Sequence, residues 1–537
     1  MKIVLAEKVS PATLAVFQPE SSWRIVTHDR IAGGLAAELA DADALVVRSA
    51  VQVDDALLES APKLRVIGRA GVGVDNIDAD AATRRGIVVM NTPGANAVAV
   101  AELTLGLMVA LARQIPKANA ATHSGKWEKK SLQGTELRGK TLGILGLGRV
   151  GLEVARRAAG FGMELVGHDP FVSPAVAREN GVRLCSLDGL FAESDYLTLH
   201  VGLTSQTQGI VNAKTLAGMR KTVRIVNCAR GELIVDEALA AALRSGQIAG
   251  AALDVFSQEP LRDSPYFGLE NVILSPHIAG STAEAQEAVG VQIANQVKDY
   301  LKFGVAQNAV NLPSLTYEEY RELFPYILMA ERLGSFLAPI ADGNLESIHL
   351  SYSGRLGQAK TDLVRNSAVQ GVLGHSEHVN RINAAAVAEE RGIRVHEKRS
   401  EAVSGGAGSV LKLTLHTAGG EHSASATVLH GSSPRLLSCD SIDIEAPLNG
   451  NLLFIRNRDV PGVIGRIGTI LGEHRLNIAN FALGRGLKAA TPDALAVVQI
   501  DGRIPQPALD ALRATEAITE VRVIELTDRA SPDASLE

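Results

Sequence analysis

The hydrophobic pattern of the first 90 residues switches between two periods. Short runs rich in β-branched residues (KIVLAE, SWRIVTH, DALVVRS, RVIGRAG, GIVVMNTP) alternate with helical stretches such as AGGLAAELADA. Apolar strands with helices between them predict an open parallel sheet of the flavodoxin type. From Val98 to Thr122 the chain is apolar on most faces, which predicts one long buried helix. A second βα series begins at Thr141 and carries the strands TLGIL, DYLTLHV, RIVNCAR, AALDVF and NVILSPHI. Ser281 to Lys302 predicts a long helix that returns the chain to the first lobe. Pro313 in NLPSL breaks the pattern, and TYEEYRELFPY opens a new helix. Three short strands follow (ESIHLSYSG, SVLKLTLHTAG, SASATVLHG), with a glycine-serine loop at Ser404 to Ser409. The last segment reads β-α-β-β-α-β, the ferredoxin-like pattern.

These patterns predict an α/β chain with two doubly wound parallel-sheet domains, a Rossmann unit at 98–282 inserted in a flavodoxin-like unit at 1–97 and 283–312. An α+β domain at 317–446 and a ferredoxin-like domain at 450–528 complete it. A chain of 537 residues is too long for one core, in keeping with that division. Composition adds exclusions. The net charge of −6 argues against non-specific binding to nucleic acid or anionic membrane. Cys185, Cys228 and Cys439 have no paired spacing, so neither a disulfide framework nor a metal cluster is expected, and a reducing, cytoplasmic setting is. MKIVLAEKVS enters a strand directly, and no apolar run reaches the roughly 18 residues of a membrane span.

The chemistry concentrates after Thr141. Gly146, Gly148 and Gly151 stand as G-x-G-x-x-G between a strand and an amphipathic helix. The first glycine permits the tight turn, the second lets backbone approach a pyrophosphate, and the third lets helix pack on strand. The helix N-terminus offers free N–H groups and a positive dipole end to the phosphates. Asp169 ends the next strand about 20 residues on, where a carboxylate binds both ribose hydroxyls and repels a 2′-phosphate. NAD is therefore expected over NADP.

Three polar residues follow at the ends of expected strands: Arg230 in NCARGELIVDEAL, Glu259 in DVFSQEP and His277 in SPHIAGST. Ligands of open α/β sheets bind at those ends. Oxidation of a 2-hydroxy acid needs a base for the hydroxyl proton, and imidazole serves near neutral pH. A carboxylate such as Glu259 orients the ring, and Arg230 holds the substrate carboxylate through its donor fork. Singly, each has a plainer reading, as a structural histidine, a turn arginine and a strand-ending glutamate. In this order behind a dinucleotide turn they form a set. In the first lobe, Arg48 and Ser49 follow a strand, Val72 and Gly73 lie in a glycine loop whose amides can form an anion nest, and Asn96 opens a helix as an anion contact or an N-cap.

The segments NCARGELIVDEAL, DVFSQEP and SPHIAGST resemble the signatures of the D-isomer-specific 2-hydroxyacid dehydrogenase family, and the likeness extends over essentially the whole chain. It is greatest to the long-form members with a C-terminal effector domain. The resemblance implies NAD-dependent oxidation of D-3-phosphoglycerate to 3-phosphooxypyruvate, the entry to L-serine synthesis, by a homo-oligomer, most naturally a tetramer. It implies Arg230, Glu259 and His277 as the catalytic triad. It also implies cofactor contacts from Arg149, Val150, Asp169, Cys228, Asp254 and Gly280. Gly202 departs from the family's usual proline in its His-x-Pro-Leu-Thr run. Arg48, Ser49, Val72, Gly73 and Asn96 match positions that grip substrate, and Lys129 and Lys130 beside Trp127 resemble a loop reaching a neighbouring active site. NRDVPGVIGRIGTILGEHRLNIANFALGR resembles the ACT amino-acid-binding domain, which implies L-serine as effector at Asn457, Asp459 and Asn477. The 317–446 region resembles the intervening domain of long forms, with Lys360, Arg365 and Arg435 as candidate anion contacts or plain surface charge. The alternatives are another 2-hydroxy acid, such as 2-hydroxyglutarate or glycerate, and a nucleotide-sensing binding protein.

Overall fold

Four β-sheets carry the chain in the computed structural model, which describes all residues except 314, 375–378, 401–407, 487–492 and 527–537. Most of the loop at Ser404 to Ser409 and the last two positions of the 450–528 unit lie outside the described residues. The first sheet is parallel, in the order β2-β1-β3-β4-β5. Its strands are β1 (Lys2–Leu5), β2 (Arg24–Thr27), β3 (Ala44–Val47), β4 (Val66–Arg69) and β5 (Val88–Met90). One face is covered by the helix Ala283–Phe303, whose Val289, Ile293 and Val297 join Ile3, Leu5, Val46 and Val66 in one core. The returning chain is clamped by Asn311. Its Oδ1 accepts from Val89 N at 2.9 Å, and its Nδ2 donates to Ile87 O at 2.8 Å.

The stretch expected as one helix from Val98 to Thr122 forms two. Ala97–Arg113 is buried along most of its length, whereas Ile115–His123 buries no residue. They meet at 63° about Gln114, which takes a left-handed φ of 52°. Pro116 explains the break: it lacks an N–H donor, and its ring clashes with the carbonyl four residues back. No single helix among the described residues is long and apolar enough to cross a membrane.

The second sheet is parallel too, in the order β12-β11-β10-β9-β6-β7-β8. It comprises β6 (Thr141–Leu145), β7 (Glu164–His168), β8 (Arg183–Leu184), β9 (Tyr196–Leu199), β10 (Arg224–Asn227), β11 (Gly250–Leu253) and β12 (Val272–Leu274). Strand order reverses between β6 and β9, which opens a crevice at their carboxyl ends.

The third sheet has six strands, in the order β14-β13-β15-β16-β17-β18. β13 (Leu345–Gly354), β15 (Ser409–Thr417) and β16 (Gly420–Leu429) match the three expected strands. β14 (Arg394–Ser400), β17 (Ser433–Cys439) and β18 (Ile442–Pro447) are additional. β14 is an edge strand of almost entirely exposed polar residues, so it has no apolar alternation to reveal it. β17 and β18 are joined through Asp440 and Ser441, both at positive φ, a hairpin turn built without the glycine that usually signals it. The fourth sheet, antiparallel in the order β20-β21-β19-β22, has the expected β-α-β-β-α-β sequence. Its strands are β19 (Gly450–Arg458), β20 (Ile478–Arg485), β21 (Asp493–Ile500) and β22 (Ile518–Leu526). Phe336 on the helix Tyr317–Leu337 and Phe454 on β19 meet edge to face with ring centroids 6.1 Å apart, so the third and fourth sheets share a core.

Candidate functional site

The glycine turn sits where the sheet order reverses. Gly146 takes a φ of 92°, and an added Cβ there would lie 2.6 Å from the His200 carbonyl oxygen. A Cβ on Gly151 would overlap the Gly146 carbonyl oxygen, so the helix Arg149–Ala159 packs on the turn only because none is present. A Cβ on Gly148 would meet nothing within 4 Å, which leaves the backbone there open for close approach. Gly148 caps that helix, and no side chain occupies its terminal N–H groups. Asp169 Oδ2 accepts from Leu147 N at 2.8 Å, and its Oδ1 accepts from Phe171 N at 2.8 Å, which fixes the carboxylate beside the turn. An open turn, a free helix terminus and a fixed ribose-side carboxylate fit a dinucleotide. Val150 is half-buried in the first turn of the helix. Arg149 reaches the other way, its Nη1 donating to Pro93 O across to the first lobe.

Three loops at the carboxyl ends of β10, β11 and β12 bring the catalytic candidates together. His277 Nδ1 stands 2.7 Å from Glu259 Oε2, while Glu259 Oε1 accepts from Phe256 N at 3.0 Å. Both glutamate oxygens are thus fixed, and the ring Nε2 is left for a ligand. His277 is in the left-handed region at φ 54°, a conformation that costs roughly 1–2 kcal/mol. Asp254 stabilises it there. It is fully buried, its Oδ1 accepts from Ser275 Oγ at 2.6 Å and Ile278 N at 2.9 Å, and its Oδ2 accepts from Ala279 N at 2.8 Å. Its carboxylate therefore acts within the chain, as the brace of the His277 loop. Burial pushes the neighbouring Cys228 thiol up to about 12, so it stays protonated at neutral pH. Gly280 follows the braced loop beside Asn96.

Arg230 faces the first lobe, and its Nε donates to Asp75 Oδ2 at 3.0 Å. The fully buried Asn227 shapes its turn, with Nδ2 donating to Arg230 O at 2.8 Å and Oδ1 accepting from Ala229 N at 3.0 Å. Sequence reasoning passed over both Asp75 and Asn227. Asp75 stands two residues after Gly73 in the run GVGVDNID, but its partner lies in the other lobe. Glu7 is a third omission: its carboxylate accepts from the amides of Arg48, Ala50 and Val51, and so holds the Arg48–Ser49 turn. Val72 is exposed, and Gly73 lies directly under the Arg230 guanidinium. Asn96 is not a side-chain cap. Its Oδ1 is buried with no hydrogen-bond partner, and its amide turns towards Gly280, so the side chain spans the two lobes. Lys129 and Lys130 are exposed beside Trp127.

One chain does not gather the three effector candidates. Asn457 ends β19 next to Asp459, whose carboxylate pairs with Arg485 at 3.3 Å. Asn477 precedes β20 at the opposite end of the sheet, where Ile478 aligns with Ile500 and Ile500 with Asn451, about 20 Å away by strand rise. There its Nδ2 donates to Asp501 Oδ2 at 2.6 Å. Asn457 Oδ1 is buried with no hydrogen-bond partner. In the third domain, Lys360 pairs with Glu319 at 3.0 Å and Arg365 with Glu397 at 3.1 Å, while Arg435 is half-buried on β17.

Two family models match. Residues 105–279 match the NAD binding domain of the D-isomer specific 2-hydroxyacid dehydrogenases, and residues 322–440 match the D-3-phosphoglycerate dehydrogenase intervening domain. The chain is 42% identical to D-3-phosphoglycerate dehydrogenase of Synechocystis sp., over 90% of this chain and 87% of that one. It is 41% identical to the enzyme of that name from Methanocaldococcus jannaschii, over 91% and 93%. Among solved structures, a glyoxylate reductase from Paecilomyes thermophila superposes with a TM-score of 0.53 at 33% identity, covering 58% of this chain and 98% of that one. D-lactate dehydrogenase from Aquifex aeolicus, complexed with NAD and lactic acid, gives 0.51 at 27% identity, covering 58% and 100%.

Proposed function

The chain belongs to the D-isomer specific 2-hydroxyacid dehydrogenase family, and from that premise we propose how its residues divide the NAD-dependent oxidation of D-3-phosphoglycerate to 3-phosphooxypyruvate, the first step of L-serine biosynthesis. The observation that carries this reading is the 2.7 Å pair of Glu259 and His277, on loops that follow two adjacent strands next to the one that carries Arg230. Glu259 accepts a hydrogen bond from His277 Nδ1–H, which leaves the lone pair on Nε2 for the substrate hydroxyl. As the hydroxyl proton passes to Nε2, the carboxylate stabilises the imidazolium that forms. Arg230 holds the substrate carboxylate and polarises the C2 oxygen, with the amides at Val72 and Gly73 beside it. Arg48 and Ser49 border the anion end of the cleft, and Asn96 meets the substrate where the lobes join. Bound NAD supplies the acceptor for the C2 hydride. The turn at Gly146, Gly148 and Gly151 and the backbone amides of Arg149 and Val150 hold its pyrophosphate, Asp169 its ribose, and the segments at Cys228, Asp254 and Gly280 its nicotinamide end. Initial rates of NAD reduction with D-3-phosphoglycerate, D-2-hydroxyglutarate and D-glycerate test the reading. It requires the first to have the highest kcat/KM.

Asp169→Ala removes the ribose-binding carboxylate and its repulsion of a 2′-phosphate. The ratio of kcat/KM for NAD to that for NADP should fall by about 10–100-fold, the worth of one charged contact. An unchanged ratio would exclude Asp169 as the discriminating residue.

L-serine as effector fits the polar ends of the fourth sheet. Antiparallel pairing of two copies along the edge strand β20 would set the Asn477 end of one against the Asn457–Asp459 end of the other, so the site would require a homo-oligomer, a tetramer if a second pairing surface is used. Asp459 would then exchange Arg485 for the α-ammonium group. Equilibrium dialysis of the full chain should give saturable serine binding below about 1 mM, the range of roughly 4 kcal/mol or more. Binding that does not saturate would leave the unit a pairing module.

A further inference from the structure

Arg230 is held from both lobes. Within its own lobe, Nη1 donates to Ala229 O at 2.7 Å, and the buried Asn227 fixes the turn. From the facing lobe, Asp75 Oδ2 accepts from Nε at 3.0 Å. Nη2 is left without a hydrogen bond among the described residues and lies over Gly73, where a Cβ would overlap it. Two engaged nitrogens set the plane of the guanidinium, and the third is the donor left for a ligand. Asp75 comes from a turn with little freedom. Asn76 Nδ2 donates to Arg48 O at 3.0 Å and to Val51 O at 2.7 Å, its carbonyl accepts from Val53 N at 2.8 Å, and Ile77 N donates to Val74 O at 2.9 Å. Two fixed turns on different lobes therefore meet through one ion pair, which holds only while the lobes stand at this spacing. The pair adds little stability, since the carboxylate side chain is 67% exposed and that of Arg230 27%. Nor does it favour affinity, because a negative charge beside the guanidinium weakens its hold on an anion. What it does contribute is aim.

We propose that Asp75 is a positioning residue for hydride transfer: from the facing lobe it turns Arg230, so that the substrate's carboxylate and C2 oxygen meet a correctly oriented guanidinium only when the lobes have come together. The inference rests on the reading of Arg230 as the group that holds the substrate. Asp75 touches no reacting atom and acts through Arg230 alone. Its side chain ties the geometry of the chemical step to the approach of the two lobes, as substrate-positioning groups and closing elements do.

Asp75→Ala and Asp75→Asn in the full chain test this. Asp75→Ala should lower kcat about 10-fold, less than the roughly 100-fold that a 1 Å misplacement can cost. KM for D-3-phosphoglycerate should hold or fall, because a repelling charge has gone, and KM for NAD should stay within about twofold. Asparagine keeps an acceptor in the same place and should recover most of kcat. With substrate deuterated at C2, the isotope effect on kcat should rise in Asp75→Ala, since hydride transfer becomes slower relative to product release. Both variants should melt with the wild type, as the pair is exposed. Arg230→Lys supplies the second background. Lysine has no planar fork for Asp75 to turn, so adding Asp75→Ala to it should cost less than about threefold. An unchanged kcat in Asp75→Ala, a loss confined to KM, an equal loss in the Arg230→Lys background, or a kcat that merely follows a lowered melting temperature in both variants would overturn the assignment. Wild-type kcat in Arg230→Lys would overturn the parent reading and the inference with it, whereas an impaired Arg230→Lys beside an unimpaired Asp75→Ala would remove the inference alone.

Discussion

Replacing His277 by alanine should lower kcat by about 10³-fold, within the range that a positioned acid–base group contributes, while leaving the affinity for NAD within about twofold. The separation follows from the layout. His277 hangs on a loop after β12, braced by Asp254 through three hydrogen bonds, and the glycine turn after β6 belongs to another part of the sheet. Removing the ring leaves that brace intact, because Asp254 binds Ser275 and the amides of Ile278 and Ala279, not the imidazole. Glu259→Gln should cost less, about 10–100-fold, since the base remains but loses its anionic partner. Steady-state kinetics with fluorescence titration of NADH check both variants. Near-wild-type turnover in His277→Ala would remove the proposed base.

The second large effect lies in the turn. Gly151→Ala places a methyl group where the Gly146 carbonyl oxygen sits, and both partners are backbone. Helix and strand must separate, at a cost of about 1–3 kcal/mol for overpacking. The terminal N–H groups then move away from the phosphates they serve, and NAD affinity should fall at least 100-fold. Gly148→Ala makes a contrast. Its φ of −72° suits alanine, and nothing within 4 Å meets the new methyl, so the melting temperature should hold while NAD affinity falls. Thermal denaturation and NADH titration of the two variants separate a packing glycine from one that clears space for a ligand. Equal melting temperatures for both variants would refute that division.

The βα units were legible because their strands are short apolar runs with helices between, and the glycine turn and the three catalytic candidates stand at strand ends, where ligands of such sheets bind. What escaped was long-range or unpatterned. Asp75 meets Arg230 across 155 residues of sequence, and only the facing of the two lobes makes them partners. Asn96 could cap a helix or face a ligand on sequence grounds, and the fold turned it away from capping. β14 exposes nearly every side chain, so no apolar period marked it. The hinge at Gln114 depended on Pro116, whose effect on the preceding turn was outweighed in the pattern by the long apolar run.

The helix that covers the first sheet has a consequence for synthesis. During translation β1 to β5 emerge early, whereas Ala283–Phe303 emerges only after the whole glycine-turn sheet has been made. At about 5–20 residues per second the first sheet waits roughly 10–40 s with Ile3, Leu5, Val46 and Val66 uncovered. The inserted unit is continuous in sequence and can close on itself first. The nascent chain thus carries a finished cofactor fold beside an unfinished substrate lobe, and a ribosome that stalls between the two releases a protein with a sticky face.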